Sequence, residues 1–152
     1  MSDPYSSGPA ENHEPPDPTL RPIPRPTRIS RPFWDACAQG RLLYQRDAVT
    51  GAPIFPPQEF SVSSVTIPPV WAESKGEGSV YSYSVVSRPQ TPAFEVPYVV
   101  AIVELDEGYT MMSNIIDCKP DEVSIGMRVH VAFRPIRDGI VLPFFAPAAQ
   151  DN

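Results

Sequence analysis

Gly76-Glu77-Gly78-Ser79-Val80-Tyr81-Ser82-Tyr83-Ser84-Val85-Val86 carries the clearest two-residue alternation in the chain. Tyr81, Tyr83 and Val85 fall on one side, with Val80, Ser82, Ser84 and Val86 on the other. That is the pattern of a half-buried strand of aromatic and β-branched residues. Gly76 and Gly78 at its start allow the sharp bend or close backbone approach that a closing barrel needs, at an entropic cost. The stretch therefore reads as the first, long, bent strand of a small barrel.

The sequence downstream supplies the partners. After a Pro-broken loop over 87–96, with Phe94 exposed in it, Tyr98 to Leu105 is almost continuously apolar, as befits a strand covered on both sides. Asp106-Glu107-Gly108 turns the chain, and Tyr109 to Ile116 forms the hairpin partner. Lys119 to Ile125 reads as a helical turn. Val129, Val131 and Phe133 then alternate with Arg128, His130, Ala132 and Arg134, giving a fourth strand with one wet face. Asp138-Gly139 is a two-residue hairpin signal, and Ile140 to Leu142 makes the fifth strand. Phe144 and Phe145 fall either in the core, the preferred reading, or on a partner. Five strands with a bridging turn after the third fit an OB-fold.

Upstream, the first 29 residues hold eight prolines, which break any helix or central strand. The later part, Arg21-Pro22-Ile23-Pro24-Arg25-Pro26-Thr27-Arg28, favours polyproline II. Two readings stay open: an arm that docks along a surface, or a solubilising tail. Ser30 can cap a short helix that has Pro32 in its first turn and stops at Gly40. Arg41 to Gln45 reads as a strand, 47–57 as turn and loop, and Gln58 to Pro69 shows no periodicity. The expected division is an arm over 1–29, a small N-terminal unit over 30–69, the barrel over 70–147 and a tail over 148–152. The fold class is mainly β.

Composition bounds the chemistry. The chain has 152 residues and a net charge of −6, which disfavours general affinity for nucleic-acid phosphates. No apolar run approaches the ~20 residues of a membrane span, and the N-terminus lacks the layout of a secretory signal, so the expectation is a soluble, cytoplasmic protein. Cys37 and Cys118 then read as reduced thiols. No His-Ser-Asp set, metal cluster, Walker loop or dinucleotide fingerprint appears. Glu104, Asp106, Glu107, Asp117, Asp121 and Glu122 sit around predicted strand ends, where solvation explains them, and His130 reads as a surface histidine. The residues point away from an enzyme acting alone.

The collinear set Arg31-Pro32-Phe33-Trp34, Gly40-Arg41-Leu42-Leu43, Gly51, Phe55-Pro56-Pro57, Gly76-Glu77-Gly78-Ser79-Val80-Tyr81-Ser82, Pro97 to Leu105, Gly108, Met112-Ser113-Asn114 and Gly126-Met127-Arg128-Val129 resembles an acyl-CoA-associated family. In that family an N-terminal helix and a rubredoxin-like zinc ribbon precede a C-terminal OB-fold. The resemblance covers about residues 30–147. Zinc-bearing members place cysteine pairs on either side of the Phe-Pro-Pro turn. Here those places hold Asp47 and Thr50, then Ser61 and Ser64, and His13 and His130 lack rescuing spacings. The expectation is a degenerate, metal-free ribbon, held instead by Tyr44, Ile54, Phe55 and Phe60 or by a partner.

The resemblance implies a non-catalytic accessory subunit of lipid or steroid metabolism, bound to a thiolase-fold enzyme (a thiolase or a lipid-transfer-protein-like aldolase) or to an acyl-CoA hydratase. It would help hold or channel an acyl-CoA, with no tightly bound cofactor. Candidate ligand contacts are Arg88, Phe94, Tyr98, Met112 and Asn114. Candidate partner contacts are Phe33, Trp34, Arg41, Tyr44, Phe55, Pro56 and Pro57. The stretch Arg21 to Arg46 has six arginines against one aspartate, Asp35, and could meet CoA phosphates, an acidic surface or only solvent. The alternative is an OB-fold that binds single-stranded nucleic acid through Tyr81, Tyr83 and Phe133, against which the acidic barrel argues.

Overall fold

The computed structural model describes residues 15–149. The first half of the predicted arm, including His13, and the end of the predicted tail lie outside the described residues. One helix, α1 (Arg31–Ala38), precedes eight strands: β1 (Leu42–Arg46), β2 (Pro53–Ile54), β3 (Val70–Ser74), β4 (Glu77–Val86), β5 (Tyr98–Leu105), β6 (Thr110–Ile115), β7 (Arg128–Pro135) and β8 (Val141–Pro147). Among the described residues no helix is long and apolar enough to cross a membrane.

The last five strands close into a barrel in the order β4-β5-β6-β8-β7, antiparallel except for the parallel bridge between β6 and β8. This is the five-stranded OB-fold that the alternation predicts. The two glycines do what a closing barrel asks of them. Gly76 has a φ of +73°, and a Cβ there would lie 2.3 Å from Val131 Cγ1. At Gly78 a Cβ would lie 2.3 Å from the carbonyl oxygen of Glu104. Gly78 is in register with Leu105 on one side and Val129 on the other, so β4 closes the barrel where it has no side chain.

Three details differ from the sequence reading. A bulge at Tyr81 shifts the β4–β5 register, since Val80 pairs with Val103 and Ser82 with Ile102. Val103, Ala101 and Val99 are all buried. Their partners are Val80, then Tyr83 and Val85, so the inward parity changes at the bulge and the two tyrosines do not share one face. β8 is longer than the predicted Ile140–Leu142 and carries Pro143 and Pro147. Its prolines are tolerated because β8 meets β6 through a single bridge, Ile115 to Phe145, leaving ladder positions with no N–H to donate. Third, Val70–Ser74 pairs along all of β1 instead of joining the barrel.

β2, β1 and β3 form a three-stranded sheet that is the ribbon unit. Its hairpin turn holds Gly51 at φ +74°. The sheet shares one core with the barrel through a run of rings. Trp34 meets Phe33 at 4.9 Å, Phe33 meets Phe55 at 5.6 Å, Phe55 stacks on Tyr109 at 5.4 Å, and Tyr109 stacks on Tyr44 at 4.8 Å. Tyr109 immediately precedes β6, so this ladder joins helix, ribbon and barrel into a single cluster. The Tyr44 hydroxyl, buried within it, accepts from Arg46 Nε at 2.8 Å. Phe144 and Phe145 are in the core, as expected. Phe60 is not: it is 49% exposed, and Tyr44, Ile54 and Phe55 hold the ribbon without it.

The arm is docked over its described part. Asp17 N–H donates to Pro92 O at 2.7 Å, and Arg137 Nη2 donates to Arg21 O at 3.0 Å. Ser30 does not cap α1. Instead its Oγ accepts from Thr27 N–H at 2.9 Å, and its own N–H donates to Thr27 Oγ1 at 3.2 Å, tying the arm to the helix start.

Candidate functional site

Where the arm crosses the barrel it covers two adjoining cavities. The first, about 250 Å³, is lined by Phe33, Trp34 and Phe55 from α1 and the ribbon, and by Met111, Met112 and Asn114 from β6 with Phe144 from β8. The second, about 190 Å³, is lined by Phe94, Tyr98, Asn114 and Phe144. Arg21 lines both. Its guanidinium carbon lies 5.3 Å from the ring centroid of Phe94 and 5.3 Å from that of Phe144. Phe94 is thus half-buried beneath the arm, not exposed in its loop, and its ring centroid is 5.7 Å from that of Tyr98.

Four of the five predicted ligand contacts come together here: Phe94, Tyr98 and Asn114 at the second cavity, Met112 and Asn114 at the first. Asn114 Nδ2 donates to Val99 O at 2.9 Å, which fixes the side chain. Arg88 is exposed and lines neither cavity. The structure adds Arg21 and Phe144. The arginine density of the arm pointed toward Arg21, but nothing in sequence links it to Phe94 and Phe144, 73 and 123 positions away.

The predicted partner contacts separate by burial. Phe33 and Tyr44 are buried and offer no surface. Trp34, Phe55 and Pro57 are half-buried, and Pro56 is exposed after a cis peptide bond. Arg41 is exposed and bound to Glu73, Nη2 to Oε2 at 2.8 Å. The irregular segment between β2 and β3 exposes Phe60, Val62, Val65 and Ile67, and Val70 at the start of β3 is exposed as well. That is a concentration of apolar side chains soluble surfaces rarely carry without a partner.

The ribbon turn is organised by Asp47. Its carboxylate accepts from the N–H groups of Val49 and Thr50 at 2.8 and 2.9 Å and from the Ser63 hydroxyl, and Ser63 Oγ lies 3.3 Å from Ser61 Oγ. Ser63, not Ser64, completes this cluster; Ser64 Oγ instead accepts from Ile67 N–H at 2.9 Å. The hydroxyl of Ser63, followed by these backbone bonds, holds the Asp47 carboxyl well below the usual carboxylate range. Among the described residues no three His, Cys, Asp or Glu side chains converge. A carboxylate already saturated by donors, with hydroxyls around it, does not fit a thiolate zinc site. Cys37 and Cys118 lie elsewhere and are free.

Two basic groups of the barrel are paired with acids. Arg128 is bidentate to Asp106 at 2.8 and 2.7 Å, and Arg134 Nη2 meets Asp117 Oδ2 at 2.6 Å.

Residues 34–60 match the model described as ChsH2, rubredoxin-like zinc ribbon domain, and residues 71–134 the model described as ChsH2, C-terminal OB-fold domain. A solved chain titled Ltp2-ChsH2(DUF35) aldolase is 36% identical, with a TM-score of 0.77, over 84% of this chain and 100% of that one. The chain belongs to the ChsH2 (DUF35) family. Among curated relatives, a probable enoyl-CoA hydratase alpha subunit from Thermomonospora curvata is 37% identical over 88% of this chain and 42% of its own length. A DUF35 domain-containing scaffold protein from Methanocaldococcus jannaschii is 46% identical over 43% of this chain and 50% of its own. The chain thus spans half or less of the length of these curated relatives.

Proposed function

We propose that this chain is a non-catalytic accessory subunit that docks on an acyl-CoA-processing enzyme and helps hold or channel its acyl-CoA. The partner is of the thiolase fold, a thiolase or lipid-transfer-protein-like aldolase, or of the hydratase fold. The observation that carries the reading is the run of exposed apolar side chains from Phe60 to Val70 on the ribbon, where Val62 lines one surface hollow with Phe55. Such a surface suits a protein partner better than water or a small ligand. The similarity to a chain from an aldolase assembly and to a scaffold protein supports the choice of partner class. Among the described residues no nucleophile is paired with a base in either cavity, which supports a non-catalytic role. The Asp47 cluster and the aromatic ladder are the contacts that would hold the ribbon in place of a metal.

The test is mild affinity purification from the native host with mass spectrometry of what persists through size exclusion. A thiolase-fold or hydratase-fold polypeptide in fixed ratio is the expected result, lost on Val62→Asp with Val65→Asp, two exposed positions whose change leaves the monomer's melting unaltered. Repeated recovery of a lone monomer, with such enzymes present in the lysate, would overturn the reading. Metal analysis of the purified protein is expected to give well under one zinc per chain.

A further inference from the structure

We propose that the two arm-covered cavities form one binding site for an amphiphilic anion, an apolar chain ending in a carboxylate or phosphate, and that Arg21 reads the charge. Each cavity alone is smaller than the roughly 300–1,000 Å³ of typical ligand sites, and the two together reach that range. Their walls are apolar: Phe33, Trp34, Phe55 and Met111 on one side, Phe94 and Phe144 on the other. Arg21 stands at the junction. The guanidinium carbon lies over both rings, and the group carries five N–H donors. No hydrogen bond from those donors and no ion pair is present among the described residues; the nearest charged wall residue, Glu95 of the second cavity, makes no contact with Arg21 within ion-pair distance. Burial lowers the Arg21 pKa from its ordinary value, and Tyr98 raises it in part. A half-buried guanidinium with unspent donors is costly unless an acceptor arrives, and a carboxylate or phosphate matches its fork.

This deepens the acyl-binding part of the proposed function and rests on it, but it is measured on the chain alone. Its failure leaves partner docking untouched, and failure of the co-purification leaves it untouched.

The experiment is calorimetric titration of the full chain, below micelle formation, with decanoate, decyl phosphate, decanol and decyltrimethylammonium. One or both anions are expected to bind, which also distinguishes carboxylate from phosphate recognition, with decanol at least about tenfold weaker. Arg21→Gln brings the anion's affinity down to the alcohol's. Glu95→Gln, on an exposed side chain that leaves the arm clamped, tightens anion binding severalfold. Equal binding of anion and alcohol, no shift in Arg21→Gln with its fold intact by circular dichroism, no effect of Glu95→Gln, or no binding of any of the four at about 1 mM would each overturn the proposal.

Discussion

Gly78→Ala isolates the closure of the barrel. Gly78 has no unusual backbone conformation, so the substitution adds a methyl group and nothing else. That methyl lands 2.3 Å from Glu104 O, 3.1 Å from Glu104 C and 3.1 Å from Val103 Cγ1. A carbon rests about 3.3–3.6 Å from a carbonyl oxygen, so β4 and β5 must part by about 1 Å. The obstacle is backbone, and β4 is pinned by β7 on its other edge, so no rotamer change relieves it. Overpacking typically costs about 1–3 kcal/mol, and this case sits at the upper end, about 3 kcal/mol. For a body of this size that is roughly a 10 °C fall in Tm. Gly126→Ala is the control: a Cβ there meets nothing within 4 Å, but φ is +84°, leaving only the left-handed backbone penalty of about 1–2 kcal/mol. Both variants are compared by thermal melting and urea unfolding in the far ultraviolet. A Gly78→Ala protein within about 0.5 kcal/mol of wild type, or no less stable than Gly126→Ala, would refute the steric account of closure.

Three further outcomes are expected. The folded-state pKa of Asp47 lies below its unfolded value near 4, so its contribution is present above that pH and lost as pH falls through the folded value. The urea midpoint of wild type should therefore drop more steeply below about pH 4 than that of Asp47→Asn, whose midpoint at pH 7 is already lower; parallel profiles would count against the cluster. Burial pushes the Cys37 thiol up to about 12 and raises that of the half-buried Cys118 less, so a thiol reagent at pH 8 should modify Cys118 in the native protein and Cys37 only on unfolding. Among the described residues the buried Tyr109 hydroxyl has no partner in full hydrogen-bond geometry, although the Ser74 side chain lies near enough to offset in part the rise that burial gives its pKa, so Tyr109→Phe should change the unfolding free energy by no more than about 1 kcal/mol, while Tyr109→Ala, which breaks the ring ladder, should cost about 3–5 kcal/mol in urea unfolding.

Much of the barrel is legible in the sequence because its signals are local. The alternation over 76–86, the apolar run of β5 and the Asp138-Gly139 turn, with φ of 54° and 75°, depend on neighbours a few residues away. The bulge at Tyr81 leaves no local trace, since it arises from how β4 must coil to meet two strands at once. The length of β8 is hidden for a related reason: Pro143 and Pro147 argue against a strand until its partner edges are known. At the site, Phe94, Tyr98, Met112 and Asn114 follow from the family resemblance together with the loop and strand on which the sequence puts them. Arg21 does not, because its position depends on where a proline-stiffened arm lands. Phe60 was expected in the ribbon core on hydrophobicity alone, a one-way guide that says nothing about an apolar side chain reserved for another surface.

The arm reaches far along the chain for its anchors. The hydrogen bond from Arg137 to Arg21 O joins residues 116 positions apart, and the second ring beside Arg21 belongs to β8. During synthesis the N-terminus emerges first and β8 last. The anchors at Pro92 and Phe94 are made earlier, but the arm has its full landing surface only once β8 has been made, and closing so long a loop is an entropic cost. Completion of arm docking is accordingly expected to follow closure of the barrel.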